Sequence, residues 1–333
     1  MSAARRAGAA PAGGAAGLVL RRLGQGAGVM LAAAALAFAI SQFAGDPVSA
    51  MVGLDAAPER REAARAALGL DRPLALRFLD WAAAAAQGDL GLSWRLRIPV
   101  AETLAERLPA TVELVAVSAL IAIPLGLAAG TWAGLRPGAR ASRALAAVSL
   151  LGASVPTFVI GLALIQVFAV ELRWLPASGR GGTVDLGGWR TSLLTAAGWA
   201  SILMPALTLA LFQLPVILRL ARVETAEALA AEHIRFARAR GLPERVVTAH
   251  ALRNALPPVI AASATNLGAL LAFSMITETV FQWPGTGLLF LQSVEAVDAP
   301  AIAGCLVLAA AIFALVNLAA DLAHLALDPR LRG

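Results

Sequence analysis

The 333-residue chain contains no lysine and no tyrosine, a single cysteine, three histidines and only 14% charged side chains. Each shortage removes a class of chemistry. All 27 basic residues are arginine, so the chain has no lysine for a G-x-x-x-x-G-K-[ST] phosphate loop, a Schiff base or a Ser-Lys pair. Cys305 on its own can form neither an internal disulfide nor a cysteine-built zinc or iron–sulfur site. Its apolar surroundings make it a small buried or lipid-facing residue. His233, His250 and His324 are not spaced as H-E-x-x-H, and no G-x-S-x-G string occurs, so the common hydrolase signatures are missing. The shortage of charge has the widest consequence. A chain that is 59% apolar with a mean hydropathy of +0.75 lies outside the range of water-soluble domains, which average roughly 25% charged residues. It resides largely in lipid.

Crossing about 30 Å of hydrocarbon takes roughly 20 apolar residues, and six apolar runs, none with more than one acidic or arginine side chain, are long enough. They predict an all-α polytopic membrane protein with spans at 26–44, 111–135, 144–170, 193–218, 255–281 and 299–327. The arrangement leaves tails at 1–25 and 328–333, an external helical segment at 45–110 and a cytoplasmic loop at 219–254, with a core of five spans over 111–327. The first run follows Arg21 and Arg22 and also resembles a secretory signal peptide; its extension to Ala44 favours an uncleaved anchor.

Arginines near span ends stay on the cytoplasmic side. If the N-terminus is cytoplasmic, the inner segments carry Arg5, Arg6, Arg21 and Arg22, then Arg136, Arg140 and Arg143, then seven arginines over 219–253, and finally Arg330 and Arg332. The short outer loops hold only Arg173, Arg180 and Arg190. Eight further arginines in 45–110 are balanced by nine carboxylates, and long loops translocate largely regardless of charge. Both termini are therefore expected to be cytoplasmic. The formal charge of +6 is topological, and no basic soluble domain exists for a nucleic-acid partner.

Two external helices are predicted, one from Pro58 to Leu68 closed by Gly69 and one over 74–86. In the cytoplasmic loop, 224–240 lacks proline and glycine and is rich in strong helix formers. It ends at Gly241, and Pro243 restarts a helix. Ala237, Ala239 and Gly241 are small enough to seat closely in a partner's groove, and Arg235, Arg238 and Arg240 can bond carboxylates or helix ends. The same pattern also suits an arginine-rich helix lying on an anionic lipid surface.

The stretch EHIRFARARGLPERVVTAHALRNALPPV, residues 232–259, resembles the cytoplasmic motif of binding-protein-dependent ABC importer permeases of the dipeptide, oligopeptide and nickel type. GLDRPLALRFLDW with GDLGLSW, ERLPATVEL, SVPTFVIGLAL with LPASGRGG, LMPALTLAL, ETVFQWPGTG and LVNLAADLAHLALDPRLR follow that family in order, from about Arg21 to the C-terminus. The chain departs from it at His233, where tyrosine is usual, at Phe236 and Arg235 in the loop motif, and at His324. The resemblance implies a type I ABC importer permease fold and a heterodimer with a second, homologous permease subunit. It also implies two ABC ATPase subunits that bind the ATP and Mg, leaving this chain without a cofactor of its own, and an external solute-binding protein. The expected solute is a peptide or a similar small molecule, with nickel chelates and glutathione among those handled by relatives, and the expected site is the bacterial inner membrane. Glu232, Arg235, Ala237, Arg238, Ala239 and Gly241 then carry the ATPase contact.

Polar groups inside spans are costly and tend to face a cavity or partner. This nominates Gln213, Asn266 and Glu278 for a solute pathway, with Gln166, Asn317 and Asp321 as further candidates. For Glu278, bonding to nearby backbone is as good a reading as solute contact, and Asn266 and Asn317 could equally bond between helices. An ion-coupled secondary transporter is the alternative. It would show repeated halves with broken spans and mid-membrane ionisable groups, and no such duplication is visible. A membrane hydrolase finds no serine partner for His250 or His324.

Overall fold

The computed structural model describes residues 15–43, 47–53, 56–67 and 69–327. Residues 1–14 of the tail expected at 1–25, the tail at 328–333, and Leu68 lie outside them; the rest of the expected N-terminal tail, from Ala15, is helical and belongs to the first helix. Along the chain, α1 is Ala15–Phe43, α2 Pro47–Val52, α3 Pro58–Ala67 and α4 Leu74–Ala86. The 36-residue α5, Val100–Leu135, leads to α6, Arg140–Ser154, and α7, Thr157–Leu164, which continues as a π-helix over Ile165–Glu171. A two-stranded hairpin, β1 Val184–Asp185 and β2 Arg190–Thr191, precedes α8, Ala196–Ala230. The remaining helices are α9 Glu232–Ala239, α10 Glu244–Thr265, α11 Leu267–Val280, α12 Thr286–Glu295 and α13 Ala299–Leu327. At about 1.5 Å per residue, α5 and α8 are each longer than the hydrocarbon layer is thick, so both project beyond it.

Among the described residues, four helices are individually long and apolar enough to cross a membrane: Leu20–Ile40 within α1, α5, α8, and Ala299–Ala320 within α13. The pair α10 and α11 makes a fifth crossing if its 43° bend at Asn266 is counted within one span. The third apolar run is not one helix. It breaks at Val155–Pro156, where Val155 is extended (φ −86°, ψ 125°), because a proline ring disfavours the helical region for the residue before it.

The bundle is organised by the packing of α5 on α8. Gly126, Gly130 and Gly134 recur every four residues, and so form one stripe along α5. A Cβ added at Gly126 would lie 2.8 Å from Ile217 Cβ, one at Gly130 2.7 Å from Ala221 Cβ, and one at Gly134 2.7 Å from the carbonyl oxygen of Arg222. Lipid is as apolar as a leucine side chain, so helices in a membrane associate through such close backbone approach rather than through the hydrophobic effect. The glycine stripe sets the rotation of α8: Ile217, Ala221 and Thr225 face α5 and are buried. Gly130→Leu is expected to cost about 1–3 kcal/mol by overpacking, read as a lowered thermal midpoint of the detergent-solubilised protein. Gly138→Leu, in open space, should leave it unchanged.

Two of the apolar clusters among the described residues lie along α5 and α8. One, toward the hairpin end, joins Leu114 and Val117 of α5 to Ile202 and Leu209 of α8, Leu270 of α11 and Trp283. The other, toward the α9 end, joins Ala122, Ala210, Ile217, Ala221 and Val259. Outside them α4 rests on α1, with the Phe38 ring 5.5 Å from Phe78 and 6.0 Å from Trp81 and Arg77 bonded to Gln42.

Candidate functional site

The single helix expected over 224–240 is divided. The chain of α8 stays helical to Ala230, Ala231 turns extended (φ −62°, ψ 145°), and α9 follows as a separate eight-residue helix. Alanine, arginine and glutamate favour a helix throughout this stretch, so the break is set by tertiary packing. Swinging α9 out of line buries Ile234 and Ala237 against Val247 and Ala251 of α10, which a straight continuation of α8 would leave in solvent. The far end closes as a Schellman motif: Gly241 N–H donates to Arg238 O at 2.9 Å and Leu242 N–H to Ala237 O at 3.3 Å. Gly241 takes the left-handed conformation this requires (φ 77°). Pro243 is the N-cap of α10, one residue before its first turn.

This elbow presents an exposed face. Glu232, Arg235, Phe236, Ala239 and Arg240 point outward; Phe236 is 63% exposed, with the Arg240 guanidinium 5.7 Å from its ring centre. Arg238 is tied to Glu244 at 2.8 Å, and His233 Nε2 lies 3.0 Å from Asn254 Nδ2. The elbow is thus a short, rigidly based helix carrying an aromatic ring between arginines, a surface suited to a groove lined with carbonyls and carboxylates.

A second group of polar side chains lies at the hairpin end. The fully buried Glu278 accepts from the Thr111 hydroxyl at 2.7 Å and from Leu288 N–H at 2.9 Å, while Thr111 accepts from Thr286 N–H at 2.8 Å. A carboxylate at the start of α12 is favourably placed against the helix dipole. Gly285 makes room for it, since a Cβ there would collide with the Glu278 carboxyl group, and a Cβ at Gly287 would lie 2.6 Å from Met275 Cα. Beside this group, Glu113 of α5 is paired with Arg180 at 2.7 Å, and their side chains are 4% and 7% exposed. Glu113 also accepts from the Ser192 hydroxyl at 2.7 Å. Arg180 donates to Arg190 O at 2.6 Å and sits 5.8 Å from the centre of the Trp283 ring, and Trp283 Nε1–H donates to Ala110 O at 2.9 Å. Gly179 N–H donates to Phe281 O at 2.8 Å. The loop between the π-helix and α8 is thereby fastened to both α5 and the end of α11.

Residues 122–333 match the family model for the binding-protein-dependent transport system inner membrane component, and residues 16–115 match the model for that family's N-terminal part. The chain belongs to this family. The permease is 34% identical over 318 residues to a putative peptide transport system permease protein of Brucella abortus (strain 2308), covering 95% of this chain and 98% of the relative. It is 35% identical to the dipeptide transport system permease protein of Escherichia coli (strain K12), covering 94% and 98%, and 37% identical to a glutathione transport system permease protein of Escherichia coli O6:H1, covering 86% and 89%. Among solved structures, the MetNI methionine ABC transporter in its inward-facing conformation matches with a TM-score of 0.52 at 21% identity, over 66% of this chain and 93% of that one. That likeness speaks to the fold alone. The permease is a multi-pass membrane subunit of an ABC importer, and its role is transport rather than enzymatic catalysis.

Within the permease, five of the six residues expected at the ATPase contact, Glu232, Arg235, Arg238, Ala239 and Gly241, are exposed on the elbow. Ala237 is turned inward onto Val247 and Ala251 and positions the helix from behind. Phe236, noted in the sequence only as a departure from the family, is the most exposed aromatic on α9.

The pathway candidates are dispersed. No hydrogen bond joins Gln213, Asn266 and Glu278 among the described residues. Gln213 is buried on α8 with its Nε2 unpartnered, Asn266 is half-buried at the bend between α10 and α11, and Glu278 is enclosed by α5, α11 and α12. Gln166 is exposed and bonded to Glu171 at 3.2 Å, Asn317 donates to Phe313 O at 2.9 Å, and the side chain of Asp321 falls outside the described set. Sequence reasoning missed the Glu113–Arg180 pair, whose members are 67 positions apart. It also missed Asp298, which caps α13 through Ala301 N–H and gathers Ser93 and the backbone N–H groups of Trp94 and Arg95. The one sequence signal for these was the charge itself, lone carboxylates at the edges of apolar runs.

Proposed function

We propose that this permease forms, with a second homologous permease subunit, the membrane pathway of an ATP-driven importer in the bacterial inner membrane, and that it carries peptides or a similar small solute delivered by an external binding protein. The observation that carries the reading is the elbow, a short helix set across the ends of α8 and α10 with Arg235, Phe236 and Arg240 exposed on its outer face. Two ABC ATPase subunits hold the ATP and Mg, and their grooves receive this helix from each permease subunit. Closure of the ATPase pair then moves α8 and α10 together, because α9 is packed on α10 and continuous in sequence with both.

Both termini lie in the cytoplasm and the chain crosses six times, the third crossing made by α6 with α7 and the fifth by α10 with α11. The distribution of arginines supports this orientation, since it sets the elbow, Arg136, Arg140 and Arg143 on the arginine-rich side. Names of the relatives support peptides and glutathione as the solute class, and nickel chelates rest on the resemblance in sequence alone.

The test is purification of the complex from cells expressing all its subunits, followed by ATP hydrolysis in liposomes with and without the binding protein, offering short peptides, glutathione and nickel in turn. ATPase subunits should co-purify, and peptide-loaded binding protein should stimulate hydrolysis several-fold. Absence of any ATPase partner would overturn the docking role, and stimulation by nickel alone would overturn the peptide assignment.

A further inference from the structure

At the α9 end of the bundle, α6 and α8 enclose a cleft of about 150 Å³ lined by Ala146, Ser149, Pro215, Val216, Arg219 and Arg222. Its orientation follows from the glycine stripe of α5. With Ile217, Ala221 and Thr225 committed to α5, the adjacent face of α8, carrying Pro215, Arg219 and Arg222 at intervals of four and three, turns toward α6. The buried Pro215 and Leu218 and the half-buried Ala146 make the cleft apolar on one side, and Arg219 and Arg222, toward the C-terminal end of α8, make it basic. Among the described residues, the Arg219 and Arg222 guanidinium groups make no hydrogen bond or ion pair, and no acidic side chain lines the cleft. Arg140 and Arg143, at the start of α6 on the same end of the bundle, are exposed and likewise unpaired among the described residues. Several arginines elsewhere are paired, Arg180 with Glu113, Arg238 with Glu244, Arg65 with Asp71 and Arg72 with Asp80; what sets Arg219 and Arg222 apart is that they line one cleft together.

We infer that this cleft binds the phosphodiester headgroup of an anionic phospholipid. Two forked guanidinium groups can grip phosphate oxygens bidentately, and the apolar wall beside them accepts the start of an acyl chain; the Ser149 hydroxyl is already bonded to Ala146 O at 3.2 Å. Basic pockets between helices at the cytoplasmic end of a bundle have the chemistry for such headgroups. A free phosphate would satisfy the arginines but leave the apolar wall uncovered. That the headgroup belongs to the inner leaflet rests on the orientation proposed above. That an anionic headgroup is held at all does not.

The experiment is native mass spectrometry of the full-length permease, in its complex, purified in detergent and supplied with phosphatidylglycerol, phosphatidylethanolamine or inorganic phosphate. The same measurement is made on Arg219→Gln/Arg222→Gln and on Arg219→Lys/Arg222→Lys. A surface arginine contributes about fivefold to anionic-lipid affinity, so the Gln pair should weaken phosphatidylglycerol retention on the order of 20-fold, the Lys pair should restore most of it, and phosphatidylethanolamine should be retained weakly by all three. Equal retention of both lipids, or equal retention of phosphatidylglycerol by wild type and the Gln pair, would overturn the inference. Displacement of the lipid by millimolar inorganic phosphate would assign the cleft to free phosphate instead. If the Gln pair lost its ATPase subunits while keeping its lipid, the arginines would be a protein contact. ATPase co-purification is scored separately, so failure of the docking model and failure of the lipid site give different patterns.

Discussion

Replacing Arg180 with methionine is expected to destabilise the permease by roughly 3 kcal/mol, the low end of the range for breaking a buried ion pair by removing one partner. The loss comes less from the missing attraction than from what is left behind. Glu113, 4% exposed, would keep the Ser192 hydroxyl and N–H as donors, but its charge would lose its only cationic partner among the described residues. The low end applies because the hairpin over the pair is largely exposed, so some water can reach the site. The reciprocal change, Glu113→Met, should cost a similar amount by stranding Arg180, whose remaining acceptor is Arg190 O. Removing both charges together should cost much less than the sum of the two, since a buried pair and an apolar replacement of similar volume are often close in energy. The check is a double-mutant cycle on thermal unfolding in detergent. If the single variants match wild type, or their effects simply add, the pair contributes nothing as a pair and the loop is held by Gly179 and Trp283 alone.

The apolar runs were legible in the sequence because lipid imposes one strong rule, that spanning backbone must satisfy its own hydrogen bonds. What periodicity could not supply was where a run breaks. Pro109, Pro124, Pro205, Pro215, Pro257 and Pro258 all lie within helices, whereas Pro156 follows a break. Proline in the sequence therefore marks a candidate interruption, and neighbouring helices decide whether the freed carbonyl is accommodated.

The elbow was half legible. Gly241 and Pro243 announce their turn through backbone chemistry, but Ala231 is an unremarkable alanine among helix formers. Only the burial of Ile234 and Ala237 on Val247 and Ala251, a contact across the turn, selects the break. The polar network at the hairpin end was legible as isolated carboxylates and illegible as pairs, since Glu278 with Thr111 and Asp298 with Ser93 join positions 167 and 205 apart. One sequence alone carries no signal for such partners.

Truncating Phe236 to alanine should weaken docking of the ATPase subunits on the order of 30-fold and reduce solute-stimulated transport at least tenfold, with the permease still in the membrane at normal abundance. The magnitude follows from the ring's position. An aromatic anchor seated in a partner's groove typically accounts for about 2 kcal/mol or more of an interface, and a 2 kcal/mol loss is close to a 30-fold change in affinity. Phe236 contributes nothing comparable to the chain's own stability, being 63% exposed and outside the cluster of Ile234, Ala237, Val247 and Ala251 that seats α9. That separation makes the experiment decisive. A variant aimed at the inner face, such as Ile234→Ala, would unseat the helix and confound docking with folding. Gly241→Val lies between the two: a Cβ at Gly241 meets open space, so the variant acts through the left-handed backbone it must adopt, a strain of about 1–2 kcal/mol, and should tilt the elbow rather than abolish it. The measurement is ATPase co-purified per permease, with uptake measured in parallel. Unchanged co-purification in Phe236→Ala would show that the exposed ring faces water or lipid, and the contact would have to be sought at Arg235 and Arg240 without it.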